Sequence, residues 1–360
     1  VATTEDSLKI GDLGEFGWIA KIAGAFGRSG DGVELGIGDD AALLDAGGDL
    51  SLVATCDCQV EGVHFRPEWI GPLQIGRRAA AVNLSDLAAM GARPRWALAS
   101  LTASSETEVE RLDGIFEGLV RELERAGGAL VGGNTARAEE GLVLDLFLLG
   151  QVEQGRAMLR SGVRSGDAIC VTGDLGAARA GLLALERPDL VCDPGARERV
   201  VTRHLAPRAL VREGRALSGS GLVTACIDVS DGLLADAGHL TERSGLEIRL
   251  DAGLVPVSSD TAEVARAAGL DPVELALAGG EDFELLFAVA EAHVERVVEL
   301  LREECGTPVR RIGTAVAGDP EVVAERDGER VVVEGGGFDH FGNGRDGPNG
   351  RNGQGNGGRD

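Results

Sequence analysis

The chain has 360 residues, 43% of them hydrophobic, and a formal net charge of −24 with only two lysines, Lys9 and Lys21. That length accommodates two domains of ordinary size, and so acidic a surface repels nucleic acid and anionic membranes. No apolar run reaches the ~20 residues of a membrane span, and the opening VATTEDSLKI lacks the basic and apolar pattern of a signal peptide, so a soluble cytoplasmic protein with no nucleic-acid or membrane partner is expected. The acids are scattered along the chain and not gathered in one block. This composition suits concentrated salt, where screening shrinks charge repulsion to a few ångströms.

In chain order, the first pattern is ELGIGDDAALL (34–44), which sets Asp39 and Asp40 between a glycine-laced turn and an apolar run. LSLVATCDCQV (50–60) reads as a strand and LQIGRRAAAVNLSDLAAMGA (73–92) as a helix stopped by glycine. ETEVERLDGIFEGLVRELERAGG is an amphipathic helix in which Val109, Leu112, Phe116, Leu119 and Leu123 recur at helical spacing, ended by Gly127 and Gly128. ALVGGNT follows, then the apolar strand LVLDLFLLGQV. A second strand–turn–helix series opens at RSGDAICVTGDLGAARAG, so a boundary is expected near 154–159. This gives an N-terminal segment 1–13, a domain 14–153, a second domain 154–341 and a Gly/Asn-rich tail 342–360. The tail has no apolar side chain but its proline and is expected to be disordered. The six cysteines read as small, mostly buried residues and not as disulfides, and the Cys56-x-Cys58 pair favours zinc only weakly.

Four short motifs combine strand, small-residue turn and acid: Gly38-Asp39-Asp40, Thr55-Cys56-Asp57, Ile227 to Gly232 (IDVSDG) and Gly279-Gly280-Glu281-Asp282. Asp86 adds a fifth acid on a helix face shared with Asn83 and Met90. One such acid is usually a cap or turn former, and Asp231 could cap the helix that follows it. Five in a chain with almost no lysine to pair them suit hard cations such as Mg²⁺, which take oxygen ligands together with substrate phosphates. A P-loop and the protein-kinase signatures are missing, VTGDLGAARAG reads as an ordinary glycine turn, and serine–histidine catalysis has no G-x-S-x-G to support it. His204, His239, His293 and His340 read as packing or surface residues, whereas His64 lies in EGVHF close behind Asp57.

ELGIGDDAALL, VEGVHF, AVNLSDLAAMGARP, LVGGNT, RSGVRSGDAICVTGDLG, IDVSDGLLAD, LAGGEDFELLF and GGGFDHF resemble, in order and spacing, the thiamine-monophosphate kinase family of the aminoimidazole ribonucleotide synthetase and selenophosphate synthetase superfamily. The resemblance runs from about Gly14 to Phe341. It implies an α/β (α+β), two-domain ATP-binding fold of the aminoimidazole ribonucleotide synthetase type, with N-terminal domains pairing their sheets in a homodimer. It also implies direct, Mg²⁺-assisted transfer of the γ-phosphoryl group of ATP to thiamine phosphate. By position, Asp40, Thr55, Cys56, Asp57, Asp86, Asn134, Asp228 and Asp231 match metal ligands. Gly133, Asn134, Arg160 and Ser230 match nucleotide contacts, and His64, Glu281 and Phe338 match positions facing thiamine phosphate. Asn134 replaces the family's aspartate, and Cys56 its threonine. Another phosphotransferase or ligase of the superfamily, a carboxylate-metal phosphohydrolase and a non-enzymatic acidic protein are the competing readings.

Overall fold

The structure, a computed structural model, describes residues 9–333. The first half comprises α1 (Ile10–Phe26), β1 (Val33–Leu35), β2 (Ala42–Asp45), β3 (Leu50–Val60), α2 (Pro72–Ala89), β4 (Arg93–Ala103), α3 (Val109–Arg125), β5 (Ala129–Arg137) and β6 (Leu142–Glu153). The second comprises β7 (Asp167–Thr172), α4 (Ala177–Glu186), α5 (Pro194–Leu205), α6 (Val211–Ser220), β8 (Val223–Asp228), α7 (Leu233–Ser244), β9 (Glu247–Asp251), α8 (Ser259–Ala267), α9 (Pro272–Ala278), β10 (Leu285–Ala290), α10 (Val294–Glu304), β11 (Val309–Val316), β12 (Val322–Arg326) and β13 (Glu329–Arg330). No helix among the described residues is long and apolar enough to cross a membrane.

Each half is built on one mixed sheet. The first has the order β1-β2-β3-β6-β4-β5, and the second β13-β12-β9-β11-β7-β10-β8. In the first sheet, alternation along the strands sends Val53, Ala97, Ala99, Leu144, Leu146 and Leu148 to one face, where they are buried under α2 and α3. The two helices approach closely because glycines meet at their crossing. A Cβ on Gly76 would fall 1.8 Å from the Ile115 carbonyl oxygen, and one on Gly118 would fall 1.9 Å from that of Leu73. The other face is open: Trp96, Leu98 and Phe147 stand on it, 37%, 43% and 47% exposed.

α2 joins the halves. Its apolar side feeds the core of the first half through Ile75, Leu84 and Leu87. Its last turn, Ala88 and Ala89, packs into a second core with Leu217, Cys226 and Phe287. Residues near the end of α2 therefore face both halves at once.

α1 opens before residue 14 and is interrupted at Gly14, whose φ of 68° is non-helical. The apolar residues of α1 are spread around it and none is buried, so no one-sided period marked it as a helix. Val109 opens α3 but is 65% exposed, and Ile115 does the packing instead. Thr55-Cys56-Asp57 lies inside β3 and not at a strand end. The tail 342–360 and GGGFDHF lie outside the described residues.

Candidate active site

The turn before β2, the middle of β3, the last turns of α2 and the end of β8 converge on an open cavity of about 1580 Å³ lined by both halves. Asp40, Asp86 and Asp228 meet there, each with one carboxylate oxygen within 4.8 Å of the others. Asp57 and Asp231 line the same cavity, as do Arg160 and Ser230.

The acids are held by short-range partners from both halves. Thr55 Oγ1 donates to Asp86 Oδ2 at 2.5 Å, and Ser85 Oγ donates to Asp228 Oδ2 at 2.6 Å. Asn83 is fully buried and ties α2 to β3 by accepting the Asp57 N–H at 3.0 Å. Arg160 grips Asp40 Oδ1 through Nε at 3.1 Å and Nη2 at 2.6 Å, while its backbone N–H donates to Asp39. Asp40 Oδ2 is buried and has no hydrogen-bond partner among the described residues. Asp39 thus secures the turn, and Asp40 presents the free oxygen.

Burial and mutual repulsion make this cluster reluctant to ionise fully. Asp86 is raised well above the ordinary carboxylate range by burial and then by Asp57, Asp228 and Asp40. Asp228 is pushed up to about 7 by burial and Asp40, and Asp231 to about 7 by burial and Glu15. Asp39 reaches about 6 through burial and Asp40. A group of converging carboxylate oxygens, one of them buried without a partner, fits a hard divalent cation, whose charge would hold these acids ionised.

Asp231 does not cap α7. That place is taken by Asp236, whose Oδ2 accepts the N–H groups of Ser230, Asp231 and Gly232 at 3.1, 3.2 and 3.1 Å. Sequence reading missed Asp236 because the residue caps backward from inside the helix. The glycine turn before α4 holds a protein carboxylate as well: Asp282 accepts from Gly176 N at 2.5 Å and Ala178 N at 3.1 Å. That helix N-terminus is already occupied by an acid, which agrees with its reading as an ordinary turn.

A second charged group stands on the cavity wall. Glu281 pairs with Arg78 of α2, and His204 Nδ1 lies 3.1 Å from its other oxygen. Burial pushes Glu281 up, but Arg78, His204 and His64 outweigh it and bring it down to about 2. His64 lines the cavity, and its Nδ1 accepts the Val60 N–H at 2.9 Å. Arg78, Ser85 and His204 were not singled out from the sequence. Arg78 sits 203 residues from Glu281 and His204 was read as a packing histidine, so only the fold brings them together.

Two matched positions, Gly133 and Asn134, are not among the residues lining the cavity, and a third, Cys56, lines it from the opposite face of β3 to Thr55 and Asp57. Cys56 alternates with Thr55 and Asp57, so it points to the open face of the sheet, opposite Phe147 of β6. Burial, then Asp145 and Asp57, push its thiol up to about 11. Gly133 and Asn134 lie within β5 and not on a loop. The row Asp57–Leu146–Ala99–Gly133 and the next row, Cys58–Asp145–Ser100–Asn134, cross four strands. Asn134 is therefore on the open face, about 14 Å of strand spacing from β3. A Cβ on Gly133 would fall 1.8 Å from the Ala99 carbonyl oxygen, so strand packing alone requires that glycine. Phe338 lies outside the described residues.

The raised acids carry a pH signature. Asp39, Asp228, Asp231 and Asp282 sit at about 6 or 7 in the fold against 3.8 ordinarily, Asp282 through burial. Between these values the folded chain keeps protons that the unfolded chain releases, so their stability contribution is complete below the ordinary value and is lost as pH rises. The melting temperature in EDTA is expected to fall from about pH 5 to about pH 8, and Mg²⁺ to recover most at the upper end. A flat or rising profile in differential scanning calorimetry would contradict this.

A two-sheet α/β chain with buried carboxylates in the cleft between its halves defines a class. The AIR synthase related protein N-terminal domain profile matches residues 38–152 and the corresponding C-terminal domain profile matches residues 164–325. Within that class, thiamine-monophosphate kinase of Escherichia coli K12 is 38% identical over 331 residues, covering 91% of this chain and 98% of that protein. The Bacillus subtilis thiamine-monophosphate kinase is 34% identical, covering 86% and 94%. A solved structure described as AaThiL complexed with AMPPCP and TMP superposes with a TM-score of 0.80 at 33% identity, covering 94% of this chain and 100% of that one. The chain belongs to the thiamine-monophosphate kinase family.

Proposed function

We propose that the protein transfers the γ-phosphoryl group of ATP to thiamine phosphate, giving thiamine diphosphate and ADP. The observation that carries this reading is the Asp40–Asp86–Asp228 cluster at the floor of the cleft, in a chain of this family. The AaThiL structure that holds an ATP analogue and TMP lends direct support. In this reaction a terminal oxygen of thiamine phosphate bonds to the γ-phosphorus, and the bond to the bridging oxygen breaks, its electron pair leaving on ADP.

Asp40, Asp86 and Asp228 would hold Mg²⁺, with Asp57 and Asp231 beside them and Thr55 orienting Asp86. Bound there, Mg²⁺ neutralises phosphate charge and steadies the leaving group. Arg160, anchored on Asp40, and Ser230 at the head of α7 would bind the nucleotide. Glu281 and His64 would face the acceptor, whose cationic ring a carboxylate complements. Asn134 stands on the other face of the sheet, so we assign it to a subunit contact and not to the cluster of its own chain. The exposed Trp96, Leu98, Val131 and Phe147 suit that face to a second copy, a homodimer. The −24 charge and near-absence of lysine suit a cytoplasm rich in salt.

Substrate discrimination tests the reading. Thiamine phosphate is expected to be turned over and free thiamine not, because the phosphate oxygen is the nucleophile and the phosphate its anchor. Comparable turnover of free thiamine in a coupled ADP-release assay would overturn it.

A further inference from the structure

Glu281 projects into the cavity from the loop before β10, yet nothing on that loop determines where its carboxylate points. Its backbone has φ 68°, and Phe283 has φ 52°, a left-handed conformation that is costly for non-glycine residues. The loop keeps this shape because it is pinned on several sides. Glu281 N donates to the Ser230 carbonyl at 2.7 Å and Phe283 N to that of Val229 at 2.8 Å, while Asp282 is locked onto α4. These contacts fix the main chain only.

The side chain is held from two sides: His204 of α5 lies 3.1 Å from Oε2, and Arg78 of the other half pairs with Oε1. Arg78 on α2 is 2% exposed, and each of its three guanidinium nitrogens donates: Nε to Gln59 Oε1 at 3.1 Å, Nη1 to the His204 carbonyl at 2.6 Å, and Nη2 to Glu281. The planar fork makes these three directions interdependent. The pair is also unequal, since the Glu281 side chain stays 34% exposed while the arginine behind it is buried. An ion pair serving stability alone has no need to offer one partner to a cavity.

We infer that Arg78 is a positioning residue that aims the Glu281 carboxylate at the phosphate acceptor and so sets acceptor affinity. The inference rests on the proposed reaction. Arg78 touches neither nucleotide nor carboxylate cluster in this account, so its effect is confined to the acceptor side.

Steady-state kinetics of Arg78→Met, Arg78→Lys, Glu281→Gln and the double variant Arg78→Met/Glu281→Gln test it, with melting temperatures as the folding control. Arg78→Met is expected to raise KM for thiamine phosphate about 10-fold or more and to change KM for ATP less than about twofold. Glu281→Gln should act in the same direction, and the double variant no more severely than the worse single one, because the Arg78–Glu281 pair is already lost in either single variant. Arg78→Lys should fall between, since an ammonium reproduces the charge but not the three-way fork. Should Arg78→Met fail to fold, the Lys variant reads the same split. Equal rises in both KM values, an unchanged KM for thiamine phosphate, or additive effects in the double variant would overturn the inference. Absence of thiamine diphosphate from the unmodified protein would instead overturn the reaction on which it rests.

Discussion

Asp86→Asn is expected to lower phosphoryl transfer about 100-fold or more, a few kcal/mol of transition-state stabilisation, while leaving the fold intact. In EDTA the variant should melt no lower than the parent chain. Asp86 is raised by burial and by three neighbouring acids, so its charge is a source of repulsion when no cation is present. Asparagine keeps an oxygen to accept the Thr55 hydroxyl, now at 2.5 Å from Asp86 Oδ2, and removes the charge. Activity and stability should therefore move apart. The two measurements are transfer rate at saturating Mg²⁺ and melting temperature in EDTA. Near-normal rates would remove Asp86 from the metal site, and a sharp loss of stability would make it a structural residue.

Arg160→Met is expected to produce the largest loss of stability. The Asp40 side chain is fully buried and, among the described residues, Arg160 is its only ion-pair partner, with the arginine side chain 20% exposed. Breaking a buried pair from one side leaves an uncompensated charge, at a cost of about 3–5 kcal/mol, or a melting temperature lower by on the order of 10 °C in a chain of this size. Asp40 is already raised by burial. Protonation at low pH should soften the loss, making it greater near about pH 8 than near about pH 5.5. Adding Asp40→Asn should restore most of it. Equal melting of Arg160→Met and the parent at both pH values would show that the pair contributes nothing.

The parts of the fold legible in the sequence are those where one period dominates. β3 occupies the predicted residues and α3 follows its apolar spacing because it buries one face, whereas α2, found close to its predicted bounds, is buried on most sides between the two halves. α1 has no such face and was invisible to that reasoning. The acids of the cluster were legible as a set because several carboxylates with almost no lysine nearby called for a cation, although Arg160 proved to be a partner for one of them. Cys56 was grouped with Thr55 and Asp57 by adjacency, but a pleated strand sends neighbours to opposite faces. Gly133 and Asn134 belong to β5, where Gly133 permits a close approach to the neighbouring strand. Arg78 and His204 reach Glu281 across distances in sequence that no local pattern spans, whereas Asp236 is local but caps backward from inside its helix.

The central claim is transfer between two phosphates at the carboxylate cluster, and product stoichiometry tests it most directly. Incubation of the purified protein with MgATP and thiamine phosphate, followed by ³¹P NMR, is predicted to show thiamine diphosphate and ADP appearing in equal amounts, no matching inorganic phosphate, and arrest on addition of EDTA. Inorganic phosphate rising with ADP while thiamine phosphate remains unchanged would make the protein a hydrolase and contradict the account.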